Sequence, residues 1–180
     1  MPTENIIDVY NQASPEDIRE GMGWYSRARA ECMALSKETG VPLEVVVAIV
    51  AVLSPRTMWE RNLGAARNLI NGQNGEGTGI NKRKGREILA GGSIDESLKG
   101  PKVRSFYRNI LDPHDPDVVT CDVWAARVAG GPEAWERKFW LKEKQYFEVA
   151  NDYREAAALL GILPSELQAI TWVTIRRISK

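Results

Sequence analysis

The run VVVAIVAVL at residues 45–53 decides the fold of this chain. It is the longest apolar stretch among the 180 residues, and it stands directly before Ser54-Pro55. Nine residues are too few to cross a bilayer, for which a helix needs about 20. Its β-branched residues favour a strand, but no neighbouring segment supplies a strand partner. The run therefore predicts a helix that is buried on all sides.

The segments on either side also predict helices. Ser14-Pro15-Glu16-Asp17 is typical of a helix start and predicts a helix over about 15–38, with Gly21 and Gly23 as points where it could break. Further helices are predicted near 57–70, 81–89, 94–98, 102–111, 123–128, 133–138, 144–160 and 164–177. Because no region alternates like a strand, we expect an all-α, mostly helical fold: one domain over 1–180, with room for two lobes.

Composition limits what this chain can be. Hydrophobic residues make up 43% and charged residues 27%, which is typical of a globular protein. Two cysteines and one histidine argue against an iron–sulfur cluster or a zinc ribbon held by this chain alone. The first ten residues lack the basic start and apolar core of a signal peptide. We therefore expect no metal, no cofactor, no membrane association and a cytoplasmic location.

The net charge is zero, but the charges are unevenly distributed. Residues 82–108 hold eight basic and three acidic side chains, a net charge of +5, whereas residues 1–20 hold five acids and one arginine, a net charge of −4. This asymmetry predicts a surface that attracts phosphate. A solvated, charged helix face explains the same count equally well.

Three segments carry the residues suited to chemistry. Leu98-Lys99-Gly100-Pro101-Lys102-Val103 predicts a tight turn between two helices, with amides at the second helix's N-terminus that favour phosphate. Val119-Thr120-Cys121-Asp122-Val123-Trp124 is an apolar approach to a carboxylate that caps a helix. The third is the apolar helix over 45–53, followed by the sharp loop Ser54-Pro55-Arg56.

In order and spacing, these segments resemble the helix-hairpin-helix DNA glycosylases, over roughly residues 43–130. In that family, a hairpin with a glycine, one residue and a lysine precedes an aspartate by about twenty residues. Gly100-Pro101-Lys102 and Asp122, twenty residues after Lys102, match this layout. The chain departs from the family at Leu98, where the hairpin usually has its first glycine, and near Trp124, where a histidine is usual. The four-cysteine cluster of some members is absent, and the chain is shorter than most.

The resemblance implies an enzyme that binds duplex DNA, extrudes a base and cleaves its N-glycosidic bond. Asp122 would stabilise the positive charge on the sugar, and Lys102 would attack C1′ as a free amine, forming a Schiff base and permitting strand nicking. The implied DNA-binding residues are Ser54, Arg56, Lys99, Gly100 and Arg104, with Arg56 as the wedge. Trp59 or Trp124 would stack on the displaced base.

Simpler roles remain for the two central residues. Asp122 could serve only as a helix cap, and Lys102 could be an exposed lysine that neutralises phosphate. The small size and altered hairpin look like the compact members encoded by bacteriophages, which would place the chain in the host cytoplasm. Related phage proteins of this fold transfer groups onto an activated thymine in DNA, so a thymine-hypermodification transferase is the main alternative enzyme. A catalytically inert DNA-binding module is the third hypothesis.

Overall fold

The computed structural model describes residues 1–135 and 141–179, and all regular structure within them is helical. The all-α prediction is confirmed. The helices are α1 (Pro2–Asn11), α2 (Pro15–Thr39), α3 (Leu43–Leu53), α4 (Trp59–Ile70), α5 (Gly79–Leu89), α6 (Ile94–Ser97), α7 (Pro101–Leu111), α8 (Val123–Gly130), α9 (Glu143–Leu160) and α10 (Pro164–Ile178), with a 3-10 turn at Pro132–Ala134.

The chain divides into two compact units. The α3 unit comprises Arg27–Leu111, and the α8 unit comprises Met1–Ser26 together with Asp112–Lys180. The α2 helix contributes its first half to the α8 unit and its second half to the α3 unit. The glycosylase-like segment expected over 43–130 therefore includes residues of both units.

The α3 unit is built around the apolar run. Every residue from Val46 to Leu53 is at most 3% exposed, and α3 packs against α4, α5, α6 and α7. A helix that is apolar on all sides loses water contact only when other elements surround it, so its sequence requires this central position. The helix ends at Ser54, whose hydroxyl donates to the carbonyl of Ala51 at 2.7 Å.

The α8 unit has its core where α1, α8, α9 and α10 meet. Its largest fully buried side chains include Ile6, Tyr153, Leu167 and Ile175. The α1 helix, which the sequence analysis did not predict, buries Ile6 and packs against α8, α9 and α10. The helix expected near 133–138 is a 3-10 turn at Pro132–Ala134, and residues 136–138 lie outside the described residues.

The α2 helix continues without a break through Gly21 and Gly23, where an interruption was expected. Gly21 instead provides close packing within the α8 unit: a Cβ atom there would lie 2.5 Å from the Cα atom of Ile170 in α10. The two backbones approach so closely that a side chain does not fit.

Among the described residues, no single helix is long and apolar enough to cross a membrane. The pair α9 and α10 meets the length and composition criteria only when taken together, across a bend of 99°.

Candidate functional site

Asp122 lies at the end of a buried, extended segment. Val118, Val119, Thr120 and Cys121 are each at most 7% exposed, and Asp122 itself is half-buried with an extended backbone. Its Oδ1 atom accepts a hydrogen bond of 2.9 Å from the backbone N–H of Ala125, so Asp122 is the N-cap of α8, as predicted. The positive end of the helix dipole favours a carboxylate at this position.

Two buried tyrosines contact the segment that leads to Asp122. The hydroxyl of Tyr146 donates to the carbonyl oxygen of Val119 at 2.9 Å and accepts from the N–H of Cys121 at 3.3 Å. Tyr25 hydrogen-bonds Thr120, and its hydroxyl also donates to Oε1 of Gln168 at 3.1 Å. The sequence gives no signal for these contacts, because tyrosines on apolar helix faces are usually ordinary core residues.

Tyr25 and Cys121 hold their protons more tightly than the free side chains do. Burial raises the pKa of Tyr25 above its ordinary value of 10, and the charge of Asp122 adds to the increase. Burial, followed by the charge of Asp122, also raises the pKa of the Cys121 thiol. Since thiolate is the nucleophilic form of cysteine, Cys121 is inert at neutral pH. Asp122 is the half-buried carboxylate at the end of this segment.

The second candidate element is the hairpin between α6 and α7, defined here as residues 98–102. Leu98 is 1% exposed and anchors the hairpin, whereas Lys99, Gly100 and Lys102 are exposed. A Cβ atom at Gly100 would meet no atom within 4 Å, so the space over this backbone is open. An open backbone that precedes a helix N-terminus, with two lysines beside it, has the chemistry of a phosphate contact.

Arg104 is directed at the hairpin itself. Its Nε donates to the carbonyl oxygen of Leu98 at 3.1 Å, and its NH2 group donates to the carbonyl oxygen of Asp95 at 3.3 Å. The guanidinium thus holds the turn in shape. Arg104 is exposed, as are Lys99 and Lys102, but its guanidinium already bonds these two carbonyls, so a DNA contact by Arg104 would compete with them.

The loop between α3 and α4 holds a backbone that is unusual for its residue type. Arg56 has a φ of +60°, in the left-handed region that side-chain-bearing residues rarely adopt. The loop is braced by hydrogen bonds from Thr57, whose N–H donates to the carbonyl of Ser54 at 3.1 Å and whose hydroxyl donates to that of Pro55 at 3.2 Å. Met58 follows with 64% of its surface exposed. The loop therefore presents Arg56 and Met58 on a constrained turn.

The two tryptophans expected to stack on a base already have neighbours. The indole N–H of Trp59 donates to the carboxylate of Glu31, and its ring meets Phe106 of α7 edge-on, with centroids 6.4 Å apart. The guanidinium of Arg127 lies 4.6 Å from the centre of the Trp124 ring. Each ring therefore has a protein partner on one side, which fixes its orientation.

The expected residues thus fall into three groups. Lys99, Gly100 and Lys102 lie in the hairpin, with Arg104 bonded to it from α7. Ser54 and Arg56 lie in the α3–α4 loop, with Trp59 at the start of α4. Both groups belong to the α3 unit. Asp122 and Trp124 lie together at the start of α8, in the α8 unit. Among the described residues, no cluster of three or more histidine, cysteine, aspartate or glutamate side chains is placed to hold a metal ion.

A family model matches residues 1–179, almost the entire chain. The chain belongs to DUF7178, a family of unknown function. No curated protein and no solved structure matches the chain significantly. The family description names no activity. The features that bear on function are Asp122, the hairpin and the α3–α4 loop.

Proposed function

We propose that this chain is a DNA-processing enzyme of the helix-hairpin-helix glycosylase type, which binds duplex DNA, extrudes a base and cleaves its N-glycosidic bond. The observation that carries the proposal is the position of Asp122. Its carboxylate is half-buried, lies at the N-terminus of α8 and follows a segment fixed by buried side chains. A carboxylate held in this way is preorganised to stabilise a positive charge that develops beside it.

In the proposed reaction, the bond between C1′ and the base nitrogen breaks, and its electron pair leaves with the base, which then takes up a proton. The sugar acquires oxocarbenium character, and the negative charge of Asp122 stabilises it. Water then adds to C1′ and releases its proton to solvent. Alternatively, the amine of Lys102 attacks C1′ and gives up a proton to solvent; the C1′–O4′ bond then breaks, O4′ takes up a proton, and a Schiff base forms. Loss of a C2′ proton then breaks the C3′–O bond, and the strand is nicked with the phosphate as leaving group. Lys102 is exposed in the free protein, so the lyase step requires that bound DNA brings C1′ within reach of its amine.

DNA binding is proposed through the hairpin and the α3–α4 loop. Lys99, Gly100 and Lys102 would contact phosphate, and the constrained turn at Arg56 would enter the stack when the base leaves it. Each neutralised phosphate changes the slope of log K against log salt by about −0.9. Lys99→Gln should therefore weaken binding to all duplex sequences alike and reduce the salt slope by about one. The control is Lys37→Gln, which removes the same charge from the last turn of α2 and should leave the slope unchanged.

The deciding experiment combines borohydride trapping with base release on a panel of modified-base duplexes. Base release with a trapped adduct that disappears in Lys102→Gln supports a glycosylase with lyase activity. Base release without an adduct supports a monofunctional glycosylase. Salt-dependent duplex binding without base release would overturn the glycosylase proposal and favour the thymine-modifying transferase or the inert binding module. If no duplex binds at low salt, the DNA assignment itself is wrong.

A further inference from the structure

The buried backbone N–H and carbonyl groups of residues 118–121 need hydrogen-bond partners. This segment is buried and forms no regular secondary structure, and the described part of the α8 unit contains no strand that could pair with it. Buried backbone N–H and carbonyl groups need partners, because leaving them unpaired costs stability. Side chains supply the partners of three of these groups: the N–H of Val118, the carbonyl of Val119 and the N–H of Cys121.

Tyr146 supplies two of these partners with one hydroxyl. It lies in the first turns of α9, is 3% exposed, and bonds the carbonyl of Val119 at 2.9 Å and the N–H of Cys121 at 3.3 Å. A phenol hydroxyl both donates and accepts, so Tyr146 satisfies one carbonyl and one N–H, as a residue of a neighbouring strand would. Its two contacts lie on the residues one and three positions before Asp122.

The same segment is also held at its start. The carboxylate of Asp115 accepts from the N–H of Val118 at 3.0 Å, and the guanidinium of Arg154 donates to the carbonyl of Asp117 at 2.6 Å. At its far end, Asp122 caps α8. Between these anchors, the Tyr146 hydroxyl contacts the backbone directly, whereas Tyr25 contacts the side chain of Thr120.

We infer that Tyr146 is a positioning residue: its hydroxyl fixes the backbone of residues 119–121 and thereby the orientation of the Asp122 carboxylate. As far as catalysis is concerned, the inference rests on the proposed glycosylase function. A misplacement of a catalytic group by about 1 Å can cost on the order of 100-fold in rate. Tyr146 acts without touching DNA, so its removal should change the rate of the chemical step and leave DNA affinity unchanged.

The test compares Tyr146→Phe with Tyr153→Phe. Both tyrosines are buried in the α8 unit, but the hydroxyl of Tyr153 bonds Thr171 at 2.9 Å and not the segment. Amide hydrogen exchange measured by NMR gives a readout that needs no activity. Tyr146→Phe should speed exchange at the Cys121 amide, which bonds the Tyr146 hydroxyl, about tenfold, whereas Tyr153→Phe should leave this amide unchanged.

Single-turnover base release and duplex Kd complete the test. We expect the rate in Tyr146→Phe to fall about tenfold or more, with the Kd unchanged within about twofold. Unchanged exchange at the Cys121 amide overturns the inference whatever the activity. Faster exchange with an unchanged rate overturns its catalytic part.

The inference and the proposed function fail in distinguishable ways. If wild type releases no base, the proposed function fails, while the exchange data still decide whether Tyr146 fixes the segment. If Tyr146→Phe does not fold, wild-type exchange decides: a Cys121 amide that exchanges as fast as the amides in the exposed loop at residues 72–77 would overturn the inference.

Discussion

Replacing Asp122 separates its two possible roles, because asparagine preserves one and alanine preserves neither. The carboxylate oxygen accepts a 2.9 Å hydrogen bond from the N–H of Ala125, and an asparagine side-chain oxygen can accept the same bond. Asp122→Asn keeps this bond and loses the interaction of the charge with the helix dipole, about 0.3–1 kcal/mol. Asp122→Ala loses the cap as well, and removal of such a cap costs about 1 kcal/mol.

Losses of stability of this size change the melting temperature, Tm, by a measurable amount. In a protein of this size, a loss of 1 kcal/mol lowers Tm by about 2–4 °C. We therefore expect Tm to decrease by no more than about 4 °C in Asp122→Asn and by a few degrees more in Asp122→Ala. Thermal denaturation followed by circular dichroism measures both. Thr78→Ala is the matched control, because Thr78 caps α5 through a bond of 3.3 Å to the N–H of Asn81.

The two Asp122 variants should differ in stability but not in activity. Loss of a preorganised electrostatic group typically costs about 100- to 1000-fold in rate. Asp122→Asn and Asp122→Ala should therefore lose base release equally in a single-turnover assay, and Thr78→Ala should retain it. Full activity in Asp122→Asn would refute the catalytic role and leave Asp122 as a helix cap. An Asp122→Ala protein as stable as wild type would refute the capping argument.

Three further perturbations test the packing, the hairpin and the pH dependence. Gly21→Ala should lower the free energy of unfolding, measured by urea denaturation, by about 1–3 kcal/mol, because its Cβ atom would lie 2.5 Å from the α10 backbone. Gly64→Ala is the control: a Cβ atom there meets open space, and the variant should stabilise α4 by about 0.5–1 kcal/mol. Arg104→Gln should lower the free energy of unfolding by about 1 kcal/mol, because it removes the guanidinium hydrogen bonds to the carbonyls of Leu98 and Asp95. Lys99→Gln should leave the free energy of unfolding unchanged. A hydrogen bond from Arg177 lowers the pKa of Asp17 below its ordinary value of 3.8. Its stabilisation is therefore complete above about pH 5 and is lost as pH falls through the lowered pKa. Asp17→Asn should remove this part of the acid dependence of stability, and an identical decline in both proteins would refute it.

Features that depend on neighbouring residues could be predicted from the sequence. The apolar run of α3 predicted a buried helix, since burial on every side follows from its composition alone. Asp122 was identified as a helix cap because capping joins residues three positions apart. The bounds of α9 and α10 agree with the predicted helices to within one residue, because Gly161 and Pro164 mark the break between them.

Features that depend on distant residues could not be predicted in this way. Arg104 resembled the other cations of its segment, and only the folded hairpin shows its guanidinium on two backbone carbonyls. Gly21 resembled a helix breaker, and only the approach of α10 shows why a side chain is excluded. In both cases, the residue type is compatible with two roles, and the position of another segment selects between them.

The sequence by itself determined that the chain is helical, that α3 is buried, and that a carboxylate stands at the start of α8. The tertiary structure alone decided what holds that carboxylate in place, since Tyr146 lies 25 residues from Cys121, and Tyr25 lies 143 residues from Gln168. The physical reason is that helix periodicity and capping act over three or four residues and leave a repeating pattern in the sequence. A hydrogen bond between distant residues leaves no such pattern, because its geometry exists only after the helices have packed.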